Sequence, residues 1–209
     1  MLCAALLGCA PDPPSGAVGV VATGCGLAPA DGSGMTVAPG VVLTSAHVVA
    51  GATDIVVHSP GRETQVATVV GFDPEMDLAY LALERPPGAR LSVTSAHVGP
   101  GDRGVAWVYR DGRVVEVPIR VRRRVQIRTE DIYVEGETER PGFELDAAIE
   151  AGDSGAAVVI DGELAGVIWA RSRRFEDRAY AIDPTRAGAL IRSQLGSGDL
   201  ASVDVARCH

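Results

Sequence analysis

The sequence predicts an all-β protein built from two six-stranded antiparallel β-barrels followed by a C-terminal helix. Its 209 residues include 25 Gly and 13 Pro, and Asp-Gly turn pairs begin at Asp31, Asp111 and Asp161. Turn residues between short runs rich in Val and Ala favour short strands over long helices. About six such runs lie on each side of the turn-rich segment Glu84 to Gly101, which predicts one barrel before this connection and one after it.

Each barrel is predicted from its own series of apolar runs. The first barrel, expected over about residues 18–99, contains the candidate strands Val18 to Ala22, Met35 to Val37, Val41 to Thr44, Asp54 to His58, Gln65 to Phe72 and Leu78 to Leu83. The second, expected over about residues 100–183, contains Val105 to Tyr109, Val114 to Val121, Val125 to Arg128, Gly142 to Ile149, Ala156 to Ile160, Leu164 to Ala170 and Ala179 to Ile182.

The C-terminal helix is predicted over about residues 184–195. Asp183 is a suitable N-cap, Pro184 suits the first helical position, and Gly196 ends the pattern.

The arginine-rich run from Arg120 to Arg128 has two interpretations. Its even positions are mostly Arg and its odd positions mostly apolar, the pattern of a strand with one solvated face. The alternative is a docking site for an acidic partner.

Composition excludes several kinds of chemistry. A net charge of −8 and a pI near 5.0 argue against a nucleic-acid partner, because phosphate binding relies on an excess of cationic residues. The chain has neither Lys nor Asn, which excludes lysine bases, N-glycosylation sites and a Cys-His-Asn constellation. We expect no cofactor and no metal.

The first residues predict export. Residues 1–16 combine the apolar run MLCAALLGC with a Pro-rich stretch, and the run is too short to span a bilayer. We interpret this segment as the end of a signal peptide, or as a lipoprotein-like segment with Cys9 as the lipid acceptor and possible membrane anchoring; a tail without function is the alternative. The expected location is periplasmic or extracellular.

Outside residues 1–16 the chain has two cysteines, Cys25 and Cys208, at opposite ends of the domain. In an exported protein they would form a stabilising disulfide, because closing so long a loop removes much entropy from the unfolded chain. In a cytosolic protein two unrelated thiols would be the better interpretation.

Ser154 is the candidate nucleophile. It lies in the run Gly152-Asp153-Ser154-Gly155, ahead of an apolar strand. The flanking glycines permit a tight turn that exposes a hydroxyl and directs backbone N–H groups at a developing negative charge. GDSG is a weak motif alone, so the hypothesis needs partner residues.

A serine hydroxyl needs an imidazole base, and that base needs a carboxylate to orient it. The pentapeptide TSAHV occurs twice and offers His47 and His97. His47 follows the buried strand Val41 to Thr44, and Asp77 begins the apolar run thirty positions later. Asp73 competes for the orienting role, but the proline after it indicates an exposed turn.

In the order His, Asp, Ser these fragments resemble the chymotrypsin-like (trypsin-fold) serine proteases. The resemblance rests on five stretches: GSGMTVAPGVVLTSAHVV from Gly32, DPEMDLAYLAL, AAIEAGDSGAAVV, GELAGVIWA and RAYAI. It is nearest to the exported bacterial trypsin-like proteases, in particular the periplasmic acid-resistance type. It implies two barrels with the catalytic residues in the cleft between them.

Residue by residue, the resemblance assigns His47 as general base and acid, Asp77 as its orienting carboxylate and Ser154 as nucleophile. The N–H groups of Gly152 and Ser154 would form the oxyanion hole. The family order favours His47 over His97, which follows Asp77. His58, His97 and His209 are interpreted as ordinary histidines, and Asp153 as a structural residue of the nucleophile loop.

The resemblance also implies a protein or peptide substrate. An extended peptide would pair with the strand Ile168-Trp169-Ala170-Arg171, and Ala148 would line a pocket that takes a small or medium apolar side chain. The family usually continues GDSG with Gly-Pro, whereas this chain has Ala156-Ala157. The predicted function is therefore a serine endopeptidase, and the alternative is a catalytically silent peptide-binding module on the same fold.

Overall fold

The computed structural model describes residues 16–26, 28–94, 97–185, 200–205 and 207. Within these residues the chain forms thirteen strands and one short helix, which confirms the all-β prediction. The strands are β1 Ala17–Gly24, β2 Ala30–Ala38, β3 Val41–Thr44, β4 Ala52–His58, β5 Gln65–Val66, β6 Thr68–Asp73, β7 Leu78–Ala82, β8 Arg103–Arg110, β9 Arg113–Glu130, β10 Glu137–Asp146, β11 Ala157–Ile160, β12 Glu163–Arg171 and β13 Arg178–Ile182; the helix is α1, Ala46–Val49.

The first half of the chain forms an antiparallel sheet in the order β5-β4-β1-β2-β3-β7-β6. The predicted strand Gln65 to Phe72 is divided at Ala67, whose N–H donates to the Ile55 carbonyl at 2.9 Å. Val66 still pairs with β4, whereas Thr68 already pairs with β7. The bent segment from β5 to β6 therefore supplies the strands at both edges of the sheet, and the sheet curves into a barrel. If β5 and β6 are counted as one strand, this first barrel has six strands.

The second half of the chain forms a closed barrel in the order β10-β13-β12-β11-β8-β9. Two predicted strands are here a single strand, β9, of 18 residues. The register against β10 shifts between Glu144 and Leu145, which face Arg123 and Val121, so that Arg122 is an extra residue in a β-bulge. A bulge keeps a strand paired across a local irregularity, and the three adjacent arginines therefore do not break β9.

Three apolar clusters hold the fold together, one inside each barrel and one between them. Alternate residues of β3 belong to two of these clusters. Val42 packs inside the first barrel, whereas Val41 and Leu43 pack between the barrels against residues such as Leu164 of β12. A strand buried on both faces requires a continuous apolar run rather than an alternating one. The same reasoning explains the apolar run at the start of β7.

Several arginines of β9 form ion pairs with carboxylates of neighbouring segments. Arg122 pairs with Asp146 at 2.7 Å, Arg124 with Asp183 at 2.7 Å and Arg128 with Glu139 at 2.6 Å. These ion pairs favour the interpretation of β9 as an ordinary strand over that of a docking site for an acidic partner.

Several predictions fall on residues outside the described ranges. These are the helix over about 184–195, the lipid acceptor Cys9, and Cys208. Cys25 itself is disulfide-bonded. No helix among the described residues has the length and apolar character needed to cross a membrane.

Candidate active site

His47 lies on α1, the single helical turn that follows β3 at the boundary between the barrels. The residues around it are anchored in the interior: Thr44, Ser45 and Ala46 are buried, and the Thr44 hydroxyl donates to the Ser33 carbonyl at 2.7 Å. Only the histidine side chain of this pentapeptide reaches partly into solvent, with 32% of its surface exposed. The scaffold therefore fixes its backbone while leaving its ring accessible.

Asp77 accepts two hydrogen bonds from His47. Its Oδ1 accepts from the His47 backbone N–H at 2.8 Å, and its Oδ2 lies 2.7 Å from His47 Nδ1. A carboxylate only accepts here, so Nδ1 carries the proton and Nε2 keeps its lone pair for an incoming hydroxyl. Asp77 has a φ of 57°, a left-handed conformation that is uncommon outside glycine and is often associated with functional sites.

Asp77 is buried, yet it stays ionised. Burial by itself raises the pKa of this carboxyl, but the hydrogen bonds and charge of His47 outweigh that effect, and the charge of Arg140 adds to them. The net result is a pKa below the ordinary value of 3.8. An ionised carboxylate beside Nδ1 is the arrangement that stabilises an imidazolium when His47 takes a proton.

Ser154 lies in a tight turn that leads into β11. Gly152 has a φ of 93° and Gly155 a φ of 86°, conformations that glycine adopts without strain. A Cβ at Gly155 would collide with the Ser33 carbonyl and the Thr44 hydroxyl, so only glycine fits there. Among the hydrogen bonds of the described residues, none uses the N–H of Gly152 or Ser154 as donor, which leaves both groups available to an oxyanion.

Asp153 shapes this turn from within. It is completely buried and is held by Arg110, whose Nε donates to Asp153 Oδ1 at 2.9 Å and whose second nitrogen bonds Oδ2. Asp153 Oδ2 also accepts from the Glu150 backbone N–H at 2.8 Å. The carboxylate thus links the start of the turn before Ser154 to Arg110 of β8.

The Ser154 hydroxyl donates a long hydrogen bond of 3.5 Å to the Trp169 carbonyl. Within the described part of the chain, no hydrogen bond joins this hydroxyl to His47. The turns that carry the two groups are adjacent, because a Cβ on Gly155 would lie 3.0 Å from the Ser45 backbone N, but the two side chains are not in hydrogen-bond contact. Catalytic hydrogen bonds are often loose in ligand-free enzymes and tighten when substrate binds.

The strand beside Ser154 offers a partly open edge. Ile168 is fully buried and its N–H and carbonyl bond Ala156 and Gly155, so its main chain is already occupied. Trp169 sits at a register shift of β12 against β13, and both Trp169 and Ala170 are partly exposed. Of the four predicted substrate-binding residues, Ala170 lines a cavity next to Ser154; exposed Ala148 does not, although its carbonyl accepts from Arg110.

Arg140 supports the Asp77 loop from the second barrel. It is buried and its guanidinium donates to the carbonyl oxygens of Glu75 and Pro74. Burial lowers the pKa of Arg140 although nearby acids, Asp77 first among them, raise it. Arginine nonetheless stays charged in a protein, so a positive charge always lies next to the loop that carries Asp77.

The competing residues lie elsewhere. Asp73 accepts from the Met76 N–H at 2.9 Å and so closes the turn before Asp77. His97 is exposed in the connection between the barrels, and His58 stacks near Tyr109 with ring centres 6.3 Å apart. His209 lies outside the described residues. Among the described residues no cluster of three or more His, Cys, Asp or Glu side chains could hold a metal ion.

Two residues of the site were missed by sequence reasoning, Arg110 and Arg140. Arg110 pairs with a carboxylate 43 positions later, and Arg140 bonds carbonyls about 65 positions earlier. Neither arginine belongs to a motif or a periodic pattern. A buried strand position occupied by Arg is the one local anomaly that could have identified Arg140.

Comparisons with known proteins show the family to which the chain is similar. Residues 32–167 match the family described as "Trypsin-like peptidase domain". The serine protease Rv3671c of Mycobacterium tuberculosis is 30% identical over 176 residues, which cover 83% of this chain and 42% of that protein. A probable periplasmic serine endoprotease, DegP-like, of a Marinomonas species is 33% identical over 178 residues, covering 79% of this chain and 35% of its own. The chain thus spans less than half the length of these curated relatives.

A solved structure extends the similarity to three dimensions. The crystal structure of the active form of the Rv3671c protease from M. tuberculosis superposes with a TM-score of 0.79 at 25% identity, covering 91% of this chain and 83% of that one.

Proposed function

Because this chain belongs to the trypsin-like peptidase family, we propose that it is a serine endopeptidase that cuts peptide bonds through an acyl-enzyme on Ser154. The observation that carries this proposal is the double hydrogen bond from His47 to the buried carboxylate of Asp77, at 2.8 and 2.7 Å. This contact fixes both the orientation of the imidazole and the nitrogen that carries its proton. The curated relatives of this chain are named serine proteases.

In the first half-reaction, His47 Nε2 takes the proton of the Ser154 hydroxyl as its oxygen attacks the substrate carbonyl carbon. The negative charge then moves to the carbonyl oxygen, where the N–H groups of Gly152 and Ser154 would stabilise it. Asp77 stabilises the imidazolium that forms. His47 returns the proton to the leaving amine, the C–N bond breaks, and the acyl group stays on Ser154.

In the second half-reaction, water takes the place of the amine. His47 removes a proton from the water, the resulting oxygen nucleophile attacks the acyl carbon, and the Ser154 ester bond breaks. The proton goes back to the Ser154 oxygen, which releases a carboxylate product and restores the enzyme. The substrate segment before the cut bond would lie along the partly exposed residues Trp169 and Ala170 of β12.

We further propose that the protein is exported and that Cys25 pairs with Cys208. Cys25 is disulfide-bonded, which suits an oxidising compartment. The Gly51 N–H, beside Cys25, donates to the Val205 carbonyl at 2.6 Å, so the chain approaches Cys25 three residues before Cys208. The DegP-like relative is named a periplasmic endoprotease, which also supports the proposal of export. Lipid attachment at Cys9 stays a prediction.

A second function is favoured by one observation. The Ser154 hydroxyl bonds the Trp169 carbonyl at 3.5 Å and not His47, the arrangement expected of a catalytically silent module that captures peptides at β12. In that case a peptide would bind without being cut.

Labelling with a fluorophosphonate probe separates the two functions. We expect the probe to modify Ser154 in the oxidised protein, and Ser154→Ala to abolish labelling and to lower peptide turnover by about a millionfold. Both proteins should show the same thermal unfolding temperature, since the hydroxyl is only partly buried. A folded wild-type protein that binds peptides but neither reacts with the probe nor cuts them would support the silent module instead.

A further inference from the structure

A cavity of about 420 Å³ opens directly beside Ser154. On one side its wall is the segment before the nucleophile, with Ile149, Glu150 and Ala151; on the other it is the end of β12 and the loop after it, with Ala170, Arg171 and Arg173. A cavity that touches the nucleophile receives the side chain of the substrate residue whose carbonyl is attacked. Its chemistry therefore decides which residue stands immediately before the cut.

The two walls differ in character. Ile149 is buried and Ala170 partly buried, and both contribute apolar surface to the cavity. Arg171 and Arg173, in contrast, are exposed cationic residues that also line the cavity. The sequence predicted Arg171 as part of the strand that pairs with substrate but gave no role to its charge, and it assigned no function to Arg173.

Within the part of the chain that the structure describes, no carboxylate forms an ion pair with either of these two cations. Among the described residues, neither Arg171 nor Arg173 makes an ion pair, whereas arginines such as Arg122 and Arg178 each pair with a carboxylate. The one carboxylate on the cavity wall, Glu150, shares Arg110 with Asp153, so the lining has two arginine cations against one carboxylate. The cavity therefore carries a local excess of positive charge in a protein whose net charge is −8.

The main-chain groups of Arg171 face the side of β12 where a peptide would bind. The Ser172 N–H donates to the Arg178 carbonyl on the β13 side at 2.8 Å. Successive residues of a strand direct their main-chain groups to opposite sides, so those of Arg171 face the other side, where the Trp169 carbonyl also meets Ser154. A peptide paired with this edge would lie next to the Arg171 side chain.

From this arrangement we infer that the cavity selects an acidic side chain, Glu or Asp, at the substrate position immediately before the cut bond. The inference rests on the proposed function and names its substrate class. A carboxylate offers guanidinium groups two acceptor oxygens in a planar geometry that arginine matches well. Its methylene groups would contact Ile149 and Ala170. The small or medium apolar side chain expected from the sequence fits the inner wall but leaves both arginines without a partner.

The preference is tested with capped peptides that differ at a single position. The residue before the cut is Glu, Asp, Gln, Leu or Lys, and both peptide ends are blocked, so that the side chain supplies the only carboxylate. We expect kcat/KM for Glu to exceed that for Gln about tenfold or more at low salt, and the ratio to fall as salt screens the charges. Equal values for Glu and Gln would overturn the inference.

Variants then assign the preference to the two arginines. In Arg171→Gln/Arg173→Gln the ratio of Glu to Gln should approach one, and in Arg171→Glu/Arg173→Glu the peptide with Lys should become the better substrate. Arg174→Gln is the matched control, because Arg174 lies in the same loop but packs over the Phe175 ring, 5.3 Å from its centre; its ratio should equal the wild-type value. A double variant that kept the wild-type ratio would contradict the assignment.

A binding measurement separates this inference from the proposed function. In Ser154→Ala, fluorescence anisotropy should show the peptide with Glu binding about tenfold tighter than the peptide with Gln. Equal affinities would reject the acidic preference even if wild-type protein is labelled by the fluorophosphonate and cuts peptides. Conversely, selective binding with no labelling of the wild-type protein would keep the acidic preference and reject the endopeptidase.

Discussion

Arg140 lies under the Trp169 ring, with its guanidinium carbon 5.4 Å from the ring centre. The same guanidinium donates to the carbonyl oxygens of Glu75 and Pro74, just before the carboxylate that contacts His47. One buried cation of the second barrel therefore touches both the strand proposed to hold substrate and the loop that carries Asp77. Arg140 acts on the chemistry through these neighbours and is a positioning residue.

Replacing Arg140 with Gln should affect both the position and the ionisation of Asp77. Loss of the carbonyl contacts should let Asp77 shift, and a displacement of about 1 Å can cost about a hundredfold in kcat. Loss of the positive charge should raise the pKa of Asp77, because Arg140 helps to lower it. The decrease in unfolding free energy between neutral pH and strong acid should then be smaller than in wild type, and Arg140→Lys should restore part of it. An acid dependence of stability equal to that of wild type would reduce Arg140 to a purely structural role.

The duplicated pentapeptide supplies its own control. His47→Ala should abolish fluorophosphonate labelling of Ser154, because the base is lost, whereas His97→Ala should be labelled at the wild-type rate, since His97 is exposed in the connection. Labelling rates measured by mass spectrometry at several times decide the matter. Equal effects of the two substitutions would reject the assignment of the base.

Asp77→Asn should change stability in a pH-dependent manner. The folded-state pKa of Asp77 lies below its ordinary value of 3.8, so its ionisation stabilises the fold above that value and this contribution is lost as the pH falls through the folded pKa. The difference in unfolding free energy between wild type and variant should stay constant near neutral pH and shrink in acid. Urea titrations at a series of pH values measure it, and a difference that held steady into strong acid would contradict the prediction.

Arg110→Met should destabilise the nucleophile turn. It leaves the buried Asp153 carboxylate without its cation, and breaking a buried pair in this way costs about 3 to 5 kcal/mol. Arg128→Met is the control, because its pair with Glu139 is exposed and such pairs contribute about 0 to 1 kcal/mol. Chemical unfolding measures both. Adding Asp153→Asn to Arg110→Met should recover part of the loss; a double variant less stable than Arg110→Met would show that the unpaired charge is not its cause.

The proposed disulfide should contribute strongly to stability. Closing a loop of the length between Cys25 and Cys208 is worth about 5 kcal/mol in the chain-entropy account. Cys25→Ser and Cys208→Ser should therefore lower the unfolding temperature equally, and the double variant should lower it no further. Non-reducing peptide mapping identifies the pair directly. A different partner for Cys25 would refute the pairing without affecting the proposed catalysis.

Sequence patterns predicted the strands well where both faces of a strand are buried. The runs Val41–Thr44 and Leu78–Ala82 are apolar throughout and are strands in the structure, with bounds close to those expected. The prediction was less accurate where a single residue redirects the chain, as at Ala67 between β5 and β6, and at the bulge of Arg122 within β9. Such local irregularities depend on neighbouring strands, which a one-dimensional pattern does not contain.

The candidate site divides in the same way. His47, Asp77 and Ser154 were found because each lies in a recognisable fragment, and the structure places the first two in direct contact. Arg110 and Arg140 were missed because their importance comes from partners in three dimensions. The charges of Arg171 and Arg173 were not considered, because their interest comes from the lack of ion-pair partners among the described residues. The effect of a charged side chain in a folded protein depends on the groups around it, and sequence spacing does not show which groups those are.

The contact between Gly155 and Ser33 limits how this molecule could be regulated. The Ser33 N–H donates to the Ser154 carbonyl at 2.7 Å, and the space beside Gly155 does not admit even a methyl group. The turn that carries Ser154 is thus in direct contact with the first barrel. A rotation of one barrel against the other would break this hydrogen bond, so we expect any regulation of the proposed activity to act through the surrounding loops.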